Sequence, residues 1–271
     1  MLARTVGGLG AAAAALLGWG WFEAGWVRLR TVDVKLDGLA PELDGLRVAH
    51  LSDFHLGVPS GSARAVERAV TWVEERRPDL VLLTGDLLTH PRGEPKLREL
   101  LRRLGPRTYA VLGNHDFGDA RDPLAAPSRL EDLAPAHLLR DDSVELELRG
   151  RRVQLVGIDP VSYRSGQADP EGRADDDADV RILLCHYPHV FDRVRPGRYQ
   201  LVLAGHLHDG QIAIPYGRGK LRLAHANWRY TKGLYRRGGS VLHVSPGLGT
   251  TFVPFRFFAR PEATELVLRA R

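Results

Sequence analysis

Cysteine is almost absent. Cys185 is the only one in 271 residues, so no intramolecular disulfide can brace the fold. Its place in the apolar run Val180-Arg181-Ile182-Leu183-Leu184-Cys185 marks a small buried side chain rather than a nucleophile. Aromatic residues make up only 7% of the chain, and no aromatic-basic module or helix-turn-helix signature is present to track nucleic acid. No internal repeat is visible. Residues 6 to 22 carry no charge at all. What is present is a globular mixture, 44% hydrophobic and 26% charged, ample for one core of about 240 residues once an amino-terminal segment is set aside. The net charge of +5 and a pI near 9.6 suit anionic partners, phosphate esters and lipid headgroups alike.

Five short apolar runs each end in metal-type side chains. Leu46-Arg47-Val48-Ala49-His50-Leu51 precedes Asp53-Phe54-His55, Leu80-Val81-Leu82-Leu83-Thr84 precedes Gly85-Asp86, and Thr108-Tyr109-Ala110-Val111-Leu112 precedes Gly113-Asn114-His115-Asp116. The Val180 to Cys185 run precedes His186, and Tyr199-Gln200-Leu201-Val202-Leu203-Ala204 precedes Gly205-His206-Leu207-His208. Nearly unbroken apolar runs of this length suit strands covered on both faces, and layered α/β folds build ligand sites outside the strands' carboxyl ends. Asp, His and Asn supply oxygen and nitrogen donors for divalent metals, and two close metals can clamp both oxygens of an in-line displacement at phosphorus. Any one of these motifs alone is weak. Together, each closing a strand-like run, they describe a binuclear metal hydrolase with two divalent ions, for which mixed nitrogen and oxygen donors admit Mn, Fe or Zn.

The order D-x-H, G-D, G-N-H-[DE], H, G-H-x-H resembles the calcineurin-like metallophosphoesterase pattern, and the resemblance runs from about Val32 to the end. The segments Gly233-Leu234-Tyr235, Val241 to Gly249 and Arg260-Pro261-Glu262 resemble the membrane-anchored bacterial YkuE/YaeI-like branch. The resemblance implies an α/β fold, a four-layer α/β/β/α sandwich. It also implies that Asp53, His55 and His208 hold one metal, that Asn114, His186 and His206 hold the other, and that Asp86 bridges both. His115 would not ligate; it looks like the family histidine that protonates the leaving oxygen or steadies phosphoryl charge. Chemistry supports this division. One carboxylate at Asp86 can neutralise part of the charge on two cations, while neutral imidazoles add no negative charge to repel a phosphate. An imidazole with an ordinary pKa of about 6.5 suits the acid role.

The implied activity is a phosphodiesterase or pyrophosphatase, with a lipid-linked or nucleotide-linked glycolipid as one substrate class. A nuclease or nucleotide phosphodiesterase of the same fold is the alternative, and a non-catalytic membrane scaffold a more distant one. The chain reads Gly85-Asp86-Leu87-Leu88-Thr89-His90 and lacks the G-D-x-V-D-R-G pattern of protein phosphatases. Two positions depart from the branch: Asp209 replaces a glycine after G-H-x-H, and His189 replaces an acid. An added carboxylate at Asp209 would repel an anionic substrate or bind a further cation.

Residues 1–30 read as an uncleaved amino-terminal anchor and 31–271 as the catalytic domain. The uncharged stretch is at the lower length limit for a spanning helix, diluted by Ala11 to Ala15 and by glycines, with Trp19, Trp21, Phe22 and Trp26 where an interfacial belt would sit. A hydrophobic helix at a bacterial-type cytoplasmic membrane is expected, single-pass or monotopic; a cleaved signal peptide starting at Arg4 is the competing reading. Arg28, Arg30 and Lys35 outweigh Arg4 and favour a cytoplasmic catalytic domain.

Val66, Ala69, Val70 and Val73 form one helical stripe, and Leu97, Leu100, Leu101 and Leu104 another. Val144 to Leu148 and Val153 to Ile158 read as a hairpin opening the second half of the sandwich. Loops 117–135 and 162–179 are expected to shape the substrate region, the second with a solvated Asp175-Asp176-Asp177 run. Residues 210–233 mix Ile212, Ile214, Tyr216 and Trp228 with Arg218, Lys220, Arg222, Arg229 and Lys232, a cleft lining for phosphate and acyl chain or a plain charged surface loop. His50 reads as a satisfied interior histidine; His90, His137, His225 and His243 have no motif support.

Overall fold

The computed structural model describes residues 2–118, 121–217, 219–224 and 228–271; Arg218 and His225 lie outside the described residues, as do positions 119 and 120 of the 117–135 loop. The first half runs α1 (Leu2–Gly25), β1 (Arg28–Leu36), β2 (Arg47–Leu51), α2 (Ser62–Arg76), β3 (Leu80–Thr84), α3 (Glu94–Leu104), β4 (Thr108–Val111) and β5 (His137–Leu138). The second runs β6 (Asp142–Leu148), β7 (Arg151–Ile158), α4 (Pro160–Ser165), β8 (Val180–Cys185), α5 (Val190–Arg193), β9 (Leu201–Ala204), β10 (Ala213–Tyr216), β11 (Gly219–Arg222), β12 (Gly233–Arg237), β13 (Ser240–Val244) and β14 (Glu262–Ala270).

Twelve of these strands make two six-stranded mixed sheets, ordered β1-β14-β2-β3-β4-β5 and β12-β13-β9-β8-β7-β6, and β10 and β11 pair separately. Alternation along each strand assigns its side chains to two cores. In β3, Leu80 and Leu82 face the other sheet while Val81 and Leu83 face α2 and α3. In β8, Ile182 and Leu184 face the first sheet while Leu183 and Cys185 face the α4 and α5 side. The stack is therefore helix, sheet, sheet, helix. The two helical stripes are buried as expected, and α2 ends where Arg77 takes a left-handed conformation (φ 48°) and donates its N–H to the Val73 carbonyl. The β6–β7 hairpin turns through Arg149 and Gly150 alone, both at positive φ, the twist that a two-residue hairpin requires.

A helix does run through the uncharged amino-terminal stretch, but among the described residues no helix is long and apolar enough to cross a membrane. The expectation of a spanning helix is thus not met: alanine and glycine dilute the hydropathy of α1. One side of its last turns, moreover, faces protein. Ala24 and Glu23 are buried, and a side chain at Gly20 would strike the Phe257 ring at 2.5 Å.

Candidate metal centre

The parallel strands β2, β3, β4, β8 and β9 all end toward one crevice, and the chain reverses sharply as it leaves them. Asp53, His55, Asp86, His206 and His208 all adopt positive φ, between 49° and 77°. Left-handed backbone at non-glycine residues costs roughly 1–2 kcal/mol each. The motif glycines allow the side chains to crowd: a Cβ on Gly113 would lie 2.1 Å from Asp86 Oδ1, and one on Gly205 would lie 2.1 Å from Ser52 Oγ. Asp116, the last residue of its motif, is a buried brace that accepts the Leu88 and Gly113 N–H groups.

All seven expected ligand residues meet here. Donor atoms of Asp53, His55, Asp86 and His208 lie within 4.8 Å of one another, as do those of Asp86, His186 and His206, so Asp86 is common to both groups. Asn114 Oδ1 lies 3.2 Å from His186 Nε2, which adds it to the second group. The separations are 3.1 Å between the Nε2 atoms of His55 and His208, 3.0 Å from His186 Nε2 to His206 Nδ1, and 3.2 Å from His186 Nε2 to Asp86 Oδ2. Donors held about 2.1 Å from a shared cation stand roughly 3.0–3.4 Å apart, so the residues fit a metal pair.

The surroundings orient the rings. His186 Nδ1 donates to the Thr84 carbonyl at 2.8 Å, which turns Nε2 toward the crevice; His55 Nδ1 pairs with Thr89 Oγ1 at 2.9 Å. Burial, then neighbouring His115, pushes His55 down to about 3, and burial holds His208 well below the usual imidazole range, so both stay neutral as ligation requires. Burial raises Asp53 to about 6. For Asp86 burial acts the same way, but His186, His115 and His55 outweigh it and hold this carboxyl well below its ordinary value.

His115 sits beside these groups without joining either. Its ring meets His55 edge-on at 4.6 Å; its Nε2 is 3.2 Å from Thr251 Oγ1, and its Nδ1 is 3.7 Å from Asp122 Oδ2. Thr251 Oγ1 donates to the same Asp122 oxygen at 2.9 Å. Backbone N–H groups of Leu124 and Phe252 keep Asp122 ionised against the burial that opposes it. No sequence motif marks Asp122 or Thr251. Tyr187, whose ring lies 4.7 Å from that of His206, was discernible only by adjacency to His186.

A cavity of about 650 Å³ opens over the site, with Asp86, Asn114, His115, His206 and His208 at its base. Ile212, Leu223, Trp228, Phe252 and Val253 make an apolar wall, and Arg121 and Arg164 supply positive charge. The 117–135 loop therefore contributes Arg121, whereas Arg164 comes from α4. The 210–233 segment contributes apolar side chains, whereas its described basic residues are engaged elsewhere: Lys220 and Arg222 both pair with buried Asp209, and Lys232 with Glu262. Asp209 is thereby neutralised. His189 packs edge-on against Trp228 at 4.5 Å, and Asp176 pairs with Arg198 on the surface. His50 is buried between His243 Nδ1 (2.7 Å) and Thr84 Oγ1 (2.9 Å), a satisfied interior histidine.

Mixed sheets ending in two donor groups that share one carboxylate describe a metal-dependent phosphoric ester hydrolase. The calcineurin-like phosphoesterase family model matches residues 46–210, and the chain belongs to that family, whose members use two divalent metals. It is 31% identical over 247 residues to the metallophosphoesterase YkoQ of Bacillus subtilis, covering 88% of this chain and 89% of that one. It is 29% identical over 235 residues to YkuE of the same organism, covering 84% and 80%. Against the phosphodiesterase YaeI of Escherichia coli the identity is 28% over 257 residues, covering 92% and 89%.

Proposed function

We propose that the protein hydrolyses phosphodiester or pyrophosphate bonds of an amphiphilic substrate, a lipid-linked or nucleotide-linked glycolipid. In this reading Asp53, His55 and His208 hold one divalent ion, Asn114, His186 and His206 the other, and Asp86 bridges. Bound metals supply Lewis acidity for a nucleophilic water and neutralise charge at the phosphate. His115, facing the cavity beside Thr251 and Asp122, protonates the leaving oxygen. The observation that carries the reading is the apolar wall above the donors. A phosphate monoester has little to set against Leu223, Trp228 and Phe252, whereas the second substituent of a diester can cover them. Arg121 and Arg164 suit a second anionic group.

Residues 1–30 are proposed as a monotopic, membrane-surface segment and 31–271 as the part carrying the chemistry. Leu16, Leu17, Trp19 and Phe22 on α1 and Trp26 just after it are exposed, an apolar strip suited to a headgroup boundary. The test compares manganese-dependent turnover of bis-p-nitrophenyl phosphate, p-nitrophenyl phosphate and a vesicle-embedded diester, in the natural chain and in Leu17→Ser/Phe22→Ser. The diester should outrun the monoester, and the double variant should lose turnover only on vesicles. Faster monoester hydrolysis refutes the diester reading; equal loss on soluble and embedded substrates refutes the membrane role.

A further inference from the structure

The last turns of α1 touch the segment that walls the cavity. Arg256 donates its backbone N–H to the Gly20 carbonyl at 3.1 Å, Ala259 donates its N–H to Glu23 Oε1 at 3.0 Å, and Trp19 Nε1 donates to Glu23 Oε2 at 3.0 Å. Glu23 is a carboxylate only 2% exposed, with both oxygens engaged. Arg256 is wholly buried. Its guanidinium donates to the carbonyls of Pro246, Gly249 and Ala259 and, through Nη1, to the His208 carbonyl at 3.4 Å, with Nη2 3.0 Å from His208 Nδ1. Between Gly249 and Arg256 lie Thr251, which touches His115, and Phe252 and Val253, which line the cavity.

We propose that Glu23 and Arg256 are positioning residues for the metal centre, so that the end of α1 belongs to the frame of the active site. Glu23 fixes Ala259, the Ala259 carbonyl fixes the guanidinium, and the guanidinium fixes the backbone of His208 together with the 249–256 segment. His208 is singled out by this arrangement: a carbonyl or hydroxyl stands behind His186 and His55, but behind His208 stands a guanidinium that also binds its backbone carbonyl. The boundary at residue 30 is then one of function and not of packing. Cutting the chain there would remove both Gly20 and Glu23 from a segment that reaches His115.

This rests on His208 being a ligand, and the experiment separates the two ideas. Manganese alone is titrated calorimetrically into metal-free full-length protein, the Glu23→Ala and Glu23→Gln variants, and Leu16→Ser on the exposed side of the same helix. Two equivalents bound by the natural chain support the ligand assignment; none would sink that assignment and this inference with it. Glu23→Ala should weaken one equivalent by about 10-fold, the lower range for losing a partner that orients a metal ligand. Glu23→Gln, which keeps an acceptor for Ala259, should restore most of that loss, and Leu16→Ser should match the natural chain. If Glu23→Ala does not fold, Glu23→Gln decides by an affinity between natural and 10-fold weakened at an unchanged melting temperature. Natural manganese affinity in every Glu23 variant, or equal weakening in Leu16→Ser, overturns the proposal.

Discussion

Replacing Gly113 by alanine tests the crowding at the centre most directly. The added Cβ would stand 2.1 Å from Asp86 Oδ1, 2.4 Å from Asp86 N and 2.7 Å from Asp86 Cγ, where ordinary contact begins at 3.4 Å. Gly113 is not at positive φ, so alanine meets no backbone penalty and the whole effect is displacement of Asp86. The carboxylate must retreat by roughly 1 Å, and it is tied in place because Oδ1 also accepts the His115 N–H at 2.8 Å. Overpacking of this kind costs about 1–3 kcal/mol of stability. A misplacement of roughly 1 Å at a reacting centre lowers turnover on the order of 100-fold. Gly150→Ala is the control: φ is +74° and nothing lies within 4 Å, so it should cost about 1 kcal/mol of stability and leave the metal site intact. Manganese titration, thermal melting and bis-p-nitrophenyl phosphate turnover are measured on both. Natural manganese affinity and turnover in Gly113→Ala, or matching losses in the two variants, would refute the reasoning.

Asp86→Ala should abolish manganese loading and turnover together, because both donor groups share that carboxylate, whereas His115→Ala should keep metal and slow turnover by roughly 10²–10⁴-fold; metal retained in the first or lost in the second would contradict the division of roles. Burial pulls His186 down, but Asp86 outweighs it and raises the imidazole to about 9, so at neutral pH a metal must displace its proton. Manganese affinity should therefore climb from pH 7 to about 9 with measurable proton release, and an affinity flat over that interval would count against it. Burial pushes the Cys185 thiol up to about 12, so iodoacetamide should label it only after denaturation; labelling of native protein at pH 8 would place it outside the core.

That the proposed ligand residues would converge was legible because each sits within a few positions of a strand end, where side-chain type and local pattern carry the information. The two helical stripes were legible for the same reason. What stayed hidden depends on pairs that nothing local announces. Thr251 meets Asp122 across 129 positions, and Ala259 meets Glu23 across 236. Composition left the 210–233 segment open between a phosphate-binding cleft and a charged surface loop; one buried carboxylate, Asp209, engages both Lys220 and Arg222, and the cavity's arginines come from the 117–135 loop and α4. Likewise the uncharged amino-terminal run reads as one membrane element, yet a single acid at its end, Glu23, is buried in protein.

The strained backbone and the packing form one argument about where stability resides. Five proposed ligands sit at positive φ, a local cost that the crevice itself does not repay, since it gathers carboxylates and imidazoles away from water. The compensation lies below it. Leu51, Leu83, Val111, Leu184 and Leu203, near the carboxyl ends of five strands, are all completely buried, each worth about 1.5–3 kcal/mol relative to exposure. Those strands are fixed in register by parallel pairing from β2 through β4 and from β7 through β9. A rigid base therefore holds the donors in a geometry they would not adopt alone, and metals bound at the proposed ligands Asp53 and Asp86 would supply the rest. Chelation should accordingly lower the melting temperature without changing far-ultraviolet circular dichroism below the transition. A chelated protein that lost its strand signal at room temperature would mean that the metals, and not the two sheets, hold the fold.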